Sequence, residues 1–356
     1  MPISSVDTFF ACSLMVILVV TGMAALTKVV QPYLNNLSEV NDLEHFKEIS
    51  ENFLLSRGDP THWGSTADST IASFGLASNS LRPYELDIDK VTRLNNQNVF
   101  SISYSDILAG LSFEDTTLKL KINSLFRIQI SLASRLDGEN ETVYTFQVST
   151  EKSGSQISAQ LQCYTVIENH VENSTSSTDK GVAFITVSLP NSLEGSGLFL
   201  VHARAKANAQ LIAFSTYSFG HNSDNPQSNG TYLRLSPLNH ALNVSFKYPN
   251  LEVSNAFAFT HNYQFNLTKT VEKNQTEKYD IPNLLDPSPT ILVLNGKNDT
   301  TSFIEWVAYP QLPLEIGADF HSITPSRTIV LTYSVIIGSG LYELVASFQH
   351  VGNQNA

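Results

Sequence analysis

Cysteine is almost missing from this chain. Its 356 residues hold only Cys12 and Cys163. The first lies in an apolar run and the second in a predicted strand, so no disulfide between them is expected, and a scaffold stapled by disulfides is excluded. Two isolated thiols cannot build the usual four-ligand zinc site without help from histidine. Positive charge is also scarce. Lys and Arg number 21 against 33 Asp and Glu, a net charge of −12. Nucleic acid and anionic lipid surfaces are bound through clustered Lys and Arg, so nucleic acid is not expected as a partner, nor is docking on a membrane through a basic patch. Charge of either sign is modest, 15% against 42% hydrophobic residues, so the chain can bury cores and is not a disordered tail.

Signatures of catalysis are missing as well. No H-E-x-x-H, G-x-S-x-G, P-loop or strand-linked G-x-G-x-x-G occurs. The nine histidines, His45, His62, His170, His202, His221, His240, His261, His321 and His350, are scattered. They fall mostly in predicted loops and strand edges, where a solvated ring is the ordinary case. Asp87 and Asp89, with Glu85 nearby, have the spacing of a calcium loop but lack its glycine and its distal Glu. A capping or turn role is expected for them. Glu114, Asp115 and Asp59 suggest nothing more, although carboxylates for glycoside hydrolysis can converge from distant loops. Trp63 and Trp306 would suit sugar stacking if exposed. Trp306 sits in the alternating FIEWVAYP with Phe303, so it is expected in a core. No catalytic, cofactor-binding or metal-binding residue is assigned, and the protein is expected not to be an enzyme.

One long apolar run is present. From Thr8 to Thr27, TFFACSLMVILVVTGMAALT carries no charge. At about 1.5 Å per residue this length matches the roughly 30 Å of a bilayer core. Lys28 follows, placed to reach the interface. Residues 8–31 are therefore expected to meet membrane lipid. A cleaved secretory signal and a buried core helix are the competing readings. MPISSVD lacks the Lys or Arg of a signal, and a core helix seldom runs so far without charge. Asn-X-Ser/Thr sequons begin at Asn36, Asn140, Asn173, Asn229, Asn243, Asn266, Asn274 and Asn298. These candidate glycosylation sites favour a body outside the cell.

Beyond the span, Leu34, Leu37, Val40, Leu43, Phe46, Ile49 and Phe53 recur at spacings of three and four, an apolar stripe on one helical face. Pro32 marks a kink at the junction, and Gly58, Asp59 and Pro60 end the helix. The stripe is expected to pack on its own domain or on other copies of the chain. From about residue 100 the period changes to two. A short helix in SYSDILAGLS, capped by Ser105 or Asp106, precedes TLKLKI and LFRIQISLASRL. TVYTFQVST, AQLQCYTVIE, GVAFITVSL, GLFLVHARA and QLIAFSTYSF then recur every 12 to 20 residues, the spacing of a β-sandwich. ENSTSSTDKG and PNSLEGSG read as turns between them. After a polar linker at 222–229, further strands include YLRLSPL, ALNVSFKY, TILVLNG and SFIEWVAYP. IVLTYSVII and LYELVASF flank Gly338-Ser339-Gly340, a hairpin.

The order of Leu54-Leu55, Gly58-X-Pro60, Trp63-Gly64, Phe74-Gly75-Leu76-Ala77, Leu86-Asp87-X-Asp89-Lys90 and Arg93-Leu94 after an amphipathic stem resembles archaeal type IV pilin-like, membrane-anchored surface proteins. The resemblance covers about residues 1–130. It implies that Gly and Pro end the helix and that Trp63 and Phe74 plug a head against the stem. MPISSVDTFF departs from that family in lacking the basic residue and the Gly or Ala that precede its apolar helix. Asp7 stands where the family's N-terminal Glu would pair with a neighbour's amine. Further on, Gly154, Ile157 and Ala159, then Thr178-Asp179-Lys180-Gly181-Val182-Ala183-Phe184, then Val201-His202-Ala203, resemble immunoglobulin-like modules of bacterial and archaeal surface proteins. That implies a β-sandwich, with glycine turning the chain before an inward-facing strand.

The expected fold is mainly β, with a long N-terminal transmembrane and stem α-helix and Ig-like β-sandwich domains. The expected divisions are a short segment at 1–7, the transmembrane and stem helix at 8–57, a mixed α/β head at 58–141, an Ig-like sandwich at 142–222 and a β-rich domain at 223–356. The expected function is that of a single-pass cell-membrane protein with an extracellular, structural or adhesive ectodomain. The alternative is a membrane-tethered extracellular carbohydrate- or peptide-binding protein or hydrolase. The expected partners are membrane lipid and other copies of the chain or other surface proteins, and no cofactor is expected.

Overall fold

Strands whose apolar residues alternate can cover a core with one face, whereas strands apolar without interruption need cover on both. This chain contains both kinds, and their distribution sets the architecture. The computed structural model describes residues 3–67, 70–223, 226–273, 275–283, 288–320 and 328–350, with side chains described outside 1–8 and 29–39. The chain divides into two units, 1–51 and 52–356.

The first unit is almost all helix. α1 (Ile3–Leu55) is 53 residues long and continues as helix through Pro32, the expected kink. Its final turn, from Asn52, belongs to the second unit. Within α1, Phe9–Lys28 is long and apolar enough to cross a membrane, with a mean hydropathy of 2.4 and none of it buried. The expected stripe is covered only toward its end. Val40 and Leu43 are exposed, Phe46 and Phe53 are buried, and Leu34 and Leu37 lie outside the described side chains.

The second unit opens with a mixed head. β1 (Glu85–Leu86) leads into α2 (Ile88–Arg93) and α3 (Tyr104–Gly110), then β2 (Thr116–Ser124). Ser103, not Ser105 or Asp106, is the N-cap of α3. Its hydroxyl accepts from the Asp106 amide, and the Asp106 side chain returns the bond in a capping box. Beside these lie β19 (Leu314–Gly317), β20 (Thr328–Ile337) and β21 (Gly340–His350), in a five-stranded sheet of order β1-β20-β21-β2-β19.

The first sandwich has one sheet of β3 (Arg127–Asp137), β4 (Glu141–Lys152), β5 (Ser155–Gln156) and β8 (Val182–Pro190). Its other sheet runs β10-β9-β6-β7, from β6 (Ala159–Ile167), β7 (His170–Ser177), β9 (Gly195–Ala205) and β10 (Ile212–His221). In the second sandwich, one sheet orders β14-β13-β17-β18, from β13 (Leu251–Phe259), β14 (Gln264–Asn266), β17 (Thr290–Asn298) and β18 (Thr301–Tyr309). The other orders β11-β12-β16-β15, from β11 (Leu233–Leu238), β12 (Ala241–Phe246), β15 (Thr268–Lys273) and β16 (Thr276–Asp280). The β11–β12 turn places both Asn239 and His240 at positive φ, the primed turn that matches strand twist.

Three apolar layers bind these four sheets. Phe146, Val148, Ile185 and Val187 meet Leu161, Phe199 and Val201 inside the first sandwich, where the Phe146 and Phe199 rings stack at 4.2 Å. Leu242 and Val244 meet Ala258, Leu292, Leu294 and Phe303 inside the second. Between the sandwiches, Tyr164, Val166, Leu198 and Leu200 pack on Phe257, Phe259, Ile291 and Val293. β9 and β17 are therefore buried on both faces along most of their lengths, and their sequences GLFLVHARA and TILVLNG are apolar without alternation. β4 faces a core with one side only and alternates along its whole length. The Val, Leu, Ile and Phe side chains among these contribute about 1.5–3 kcal/mol each by burial.

The pairings cross two expected boundaries. β3 and β4 form one hairpin, register Ile130↔Val148, so the first sandwich begins at Arg127 and a division at 141/142 would cut it. The C-terminal hairpin β20–β21 joins β2 through Leu344↔Ile122, in the head's sheet and not with 233–309. Register with a distant strand outweighs nearness in sequence here, because β21 alternates and needs a partner whose buried face matches. β7 is a further correction: HVENSTSS, part of it read as turn, is a polar edge strand paired with β6.

Candidate functional site

The residues carrying the pilin-like resemblance converge in the head. Asp87 caps α2, its Oδ1 accepting from the backbone N–H groups of Asp89 and Lys90 at 3.0 Å each, which bears out the capping role. On that short helix Lys90 and Arg93, three apart, share a face. Both are almost fully buried, at 1% and 3% exposure. Lys90 Nζ donates to the carbonyls of Arg57 at 2.8 Å and Ala77 at 3.0 Å. Arg93 donates to Phe100 O at 2.8 Å, Thr66 O at 2.7 Å, Ala67 O at 3.2 Å and also Trp63 O. Both cations lie over the Trp63 ring, 5.9 and 5.7 Å from its centroid, while the indole N–H donates to Gly75 O at 3.0 Å.

Glycine makes the close approaches possible. A Cβ on Gly75 would run into the Gly58 amide, and one on Gly64 would stand 2.5 Å from Lys90 Cγ. Gly58 has φ +70°, a conformation that side chains resist. Trp63 and Phe74 are buried with ring centroids 6.1 Å apart, and Phe53 packs 5.7 Å from Phe74. Burial pulls the Lys90 amine below its ordinary pKa. The nearby Asp87 opposes this and Arg57 adds to it. The cluster ties the loop 57–77 to α2 with carbonyl oxygens in place of carboxylates, and protein atoms fill its interior. Its sequence signal was a dense set of Gly, Trp and basic residues. What that signal could not convey was that the two cations are buried.

Other buried polar groups also work as staples. Asp89 Oδ1 accepts from the Asn239 amide and the Tyr309 hydroxyl, both at 2.8 Å, joining the head to the second sandwich. Burial pushes the pKa of both side chains up. Glu305, 1% exposed, accepts from the Tyr232 and Leu233 amides at 2.6 and 2.8 Å, and burial raises its pKa. Glu277 accepts from the Tyr279 hydroxyl and from Lys269 Nζ. Cys163 is a buried free thiol, pushed up to about 12 by burial, and Cys12 is an exposed free thiol.

Two histidines depart from the solvated case. His202 and His221 are fully buried. His202 lies on β9, which is covered on both faces. His221 Nε2 lies 3.0 Å from Pro190 O and 3.3 Å from Asn222 Nδ2, and Nδ1 lies 2.9 Å from the Tyr144 hydroxyl. Trp306 also departs from expectation. It is half-buried, on the rim of the layer between the sandwiches, with its ring edge-on to Phe214 at 6.3 Å. Among the described residues no three His, Cys, Asp or Glu side chains gather as a metal would require. A cleft of about 540 Å³ opens beside Phe126, Arg127, Glu151, Phe214, Pro313 and Glu343.

The candidate glycosylation sites separate by environment. Asn140, Asn173 and Asn266 are exposed, and Asn243 and Asn298 are half-buried. Asn229 is exposed, but both ends of its amide pair with one backbone residue, Nδ2 donating to Trp306 O and Oδ1 accepting from Trp306 N, each at 2.8 Å. Asn274 lies outside the described residues. Asn36 lies in α1, with its side chain outside those described.

The molecule is thus a mainly β protein of two face-packed sandwiches and a mixed head, with an apolar N-terminal helix. No protein-family model matches the chain, and no curated sequence matches it significantly. Among solved structures it is similar to a transglutaminase of red sea bream, at TM-score 0.21 and 9% identity over 51% of this chain and 31% of that one. It is also similar to a purple acid phosphatase from yellow lupin, at TM-score 0.18 and 11% identity over 60% and 44%. An I-band fragment of titin gives TM-score 0.17 and 8% identity over 64% and 89%. The chain spans about a third of the transglutaminase and under half of the phosphatase. Likenesses this distant carry no functional argument.

Proposed function

We propose that this is a single-pass membrane-anchored surface protein, pilin-like in its N-terminal third, whose β body stands outside the cell as a structural or adhesive element without catalysis. One observation carries the reading: Phe9–Lys28 is an uncharged apolar helix up to its closing lysine, none of it buried, and continuous in the chain with a folded β body. Some 15 apolar side chains facing water would cost more than a typical domain's stability, so hydrocarbon is the solvent that accounts for them. The acidic charge, the sequons and the scarcity of cysteine agree with a body in water on the outer side. Membrane lipid is the partner of residues 8–31. Other surface molecules, further copies of the chain included, are the partners of the body.

Extraction of membranes with alkaline carbonate tests the anchor. The protein stays in the pellet and leaves only with detergent. Replacing Leu18 and Val19 by Arg adds about 2.5–3.5 kcal/mol of insertion cost per residue near the middle of the span and moves the protein to the supernatant. Release of the unaltered chain by carbonate alone would overturn the reading.

A further inference from the structure

Two of the sequons stand on edge strands of the β body. Asn173 lies on β7 and Asn266 on β14; among the described residues β7 pairs only with β6 and β14 only with β13. These are open edges of the two inner sheets, the pair packed together between the sandwiches. The edges run on the same flank, because Asn173 Nδ2 donates to Gln264 Oε1, two residues from Asn266, at 3.4 Å. Asn140 sits between β3, the edge of the third sheet, and β4. Open edges present unpaired N–H and C=O groups that invite strand addition from another chain, and proteins commonly guard them. The opposite edge of the second sandwich's inner sheet is guarded differently. There the Asn229 side-chain amide occupies the backbone N–H and C=O of Trp306 on β18, as a neighbouring strand would.

We infer that Asn173 and Asn266 carry N-linked oligosaccharide, which sheathes one flank of the paired sandwiches against strand addition, and that Asn229 stays bare because its amide already serves as the guard of the other flank. The inference rests on the exterior placement proposed above. Its chemistry is that of any N-glycan: the Asn amide nitrogen attacks sugar C1 of a phosphate-activated, lipid-linked oligosaccharide, the C1–N bond forms as the C1–O bond to phosphate breaks, the phosphate leaves, and the amide gives up one N–H proton. At Asn173 and Asn266 the amide faces water, and Asn173 gives up only a long hydrogen bond to an exposed side chain. At Asn229 a sugar on Nδ2 would stand where the Trp306 carbonyl is bound, breaking a two-bond pairing.

Glycopeptide mass spectrometry of the full-length protein, purified from membranes of the cells that make it, tests the assignment. The expected result is a saccharide mass on the peptides holding Asn173 and Asn266 and an unmodified Asn229. A saccharide on Asn229, or bare Asn173 and Asn266, would overturn it. The same cells treated with external protease separate the two claims. A cleaved body with bare Asn173 and Asn266 overturns the glycan inference alone, and a shielded body overturns the exterior placement. Thr175→Ala and Thr268→Ala destroy both sequons and leave the two Asn side chains in place. Detergent-solubilised protein with both changes is expected to lose two glycan masses and to shift at least severalfold toward oligomers in size-exclusion chromatography with light scattering. An unchanged distribution would overturn the guarding role.

Discussion

The head and the junction between the sandwiches both hold separate stretches of chain together, by opposite means. At the junction Tyr164, Leu198, Leu200, Phe257, Phe259, Ile291 and Val293 exclude water over a broad sheet face. Polar pairs add to it, such as Ser196 Oγ to Ser302 O at 3.1 Å at its rim and the buried Tyr164 OH to Thr260 O at 3.0 Å. In the head two buried cations hold backbone carbonyls around one indole ring. A sheet face is wide and regular, so dispersion and hydrophobic burial suffice. The loop 57–77 has little regular structure, and its carbonyls need donors once buried. Long cationic side chains supply several donors each from a single short helix.

The largest effect is expected of Arg93→Ala. It leaves up to four carbonyls without their donor, at about 1–3 kcal/mol each if they stay buried. A loss above about 4 kcal/mol is a large part of a typical domain's stability. The head is expected to lose its cooperative transition in urea, followed by Trp63 fluorescence. Next is Phe259→Ala at the junction, expected to cost about 3–5 kcal/mol through lost burial and a residual cavity, read as a lower urea midpoint with the head's fluorescence intact.

Lys90 sharpens the contrast through pH. Burial lowers its folded pKa, so between that value and the free-lysine value of about 10.4 the unfolded chain holds the extra proton. Stability gains from this group as pH rises through that interval and loses the gain as pH falls back through the folded value. Lys90→Met is expected to remove this part of the slope, seen in the difference between the two proteins' melting curves from pH 7 to 10. Phe259→Ala is expected to leave that slope unchanged. The smallest effect belongs to Ser196→Ala on the junction's rim, about 1 kcal/mol for a part-exposed hydroxyl pair.

Much of this architecture was legible in the sequence, because burial on one face or two writes itself into the period. β4 and β8 alternate, β9 and β17 do not, and Gly338-Ser339 announces the last hairpin. Two things were not legible. β7 is polar because it is an open edge, and a run of Ser, Thr and Asn reads the same in a turn. The pairing of β21 with β2 spans more than 200 residues of chain and is settled by register, which no local window contains. At the candidate site, the Asp87 cap followed from spacing, and Trp63 and Phe74 as plugs followed from the resemblance. The burial of Lys90 and Arg93 did not, since basic residues on a short amphipathic helix ordinarily face water. His202 was hidden for the related reason that a strand covered on both faces leaves no exposed side for any residue type.

In the proposed topology hydrocarbon surrounds Phe9–Lys28 while water outside the cell surrounds the sheets. External protease added to sealed, intact cells tests it most directly. The account predicts that the β body is digested without lysis and that a fragment containing Phe9–Lys28 stays in carbonate-washed membranes. A body that becomes cleavable only after lysis, or a full-length chain recovered in the soluble fraction, would contradict it.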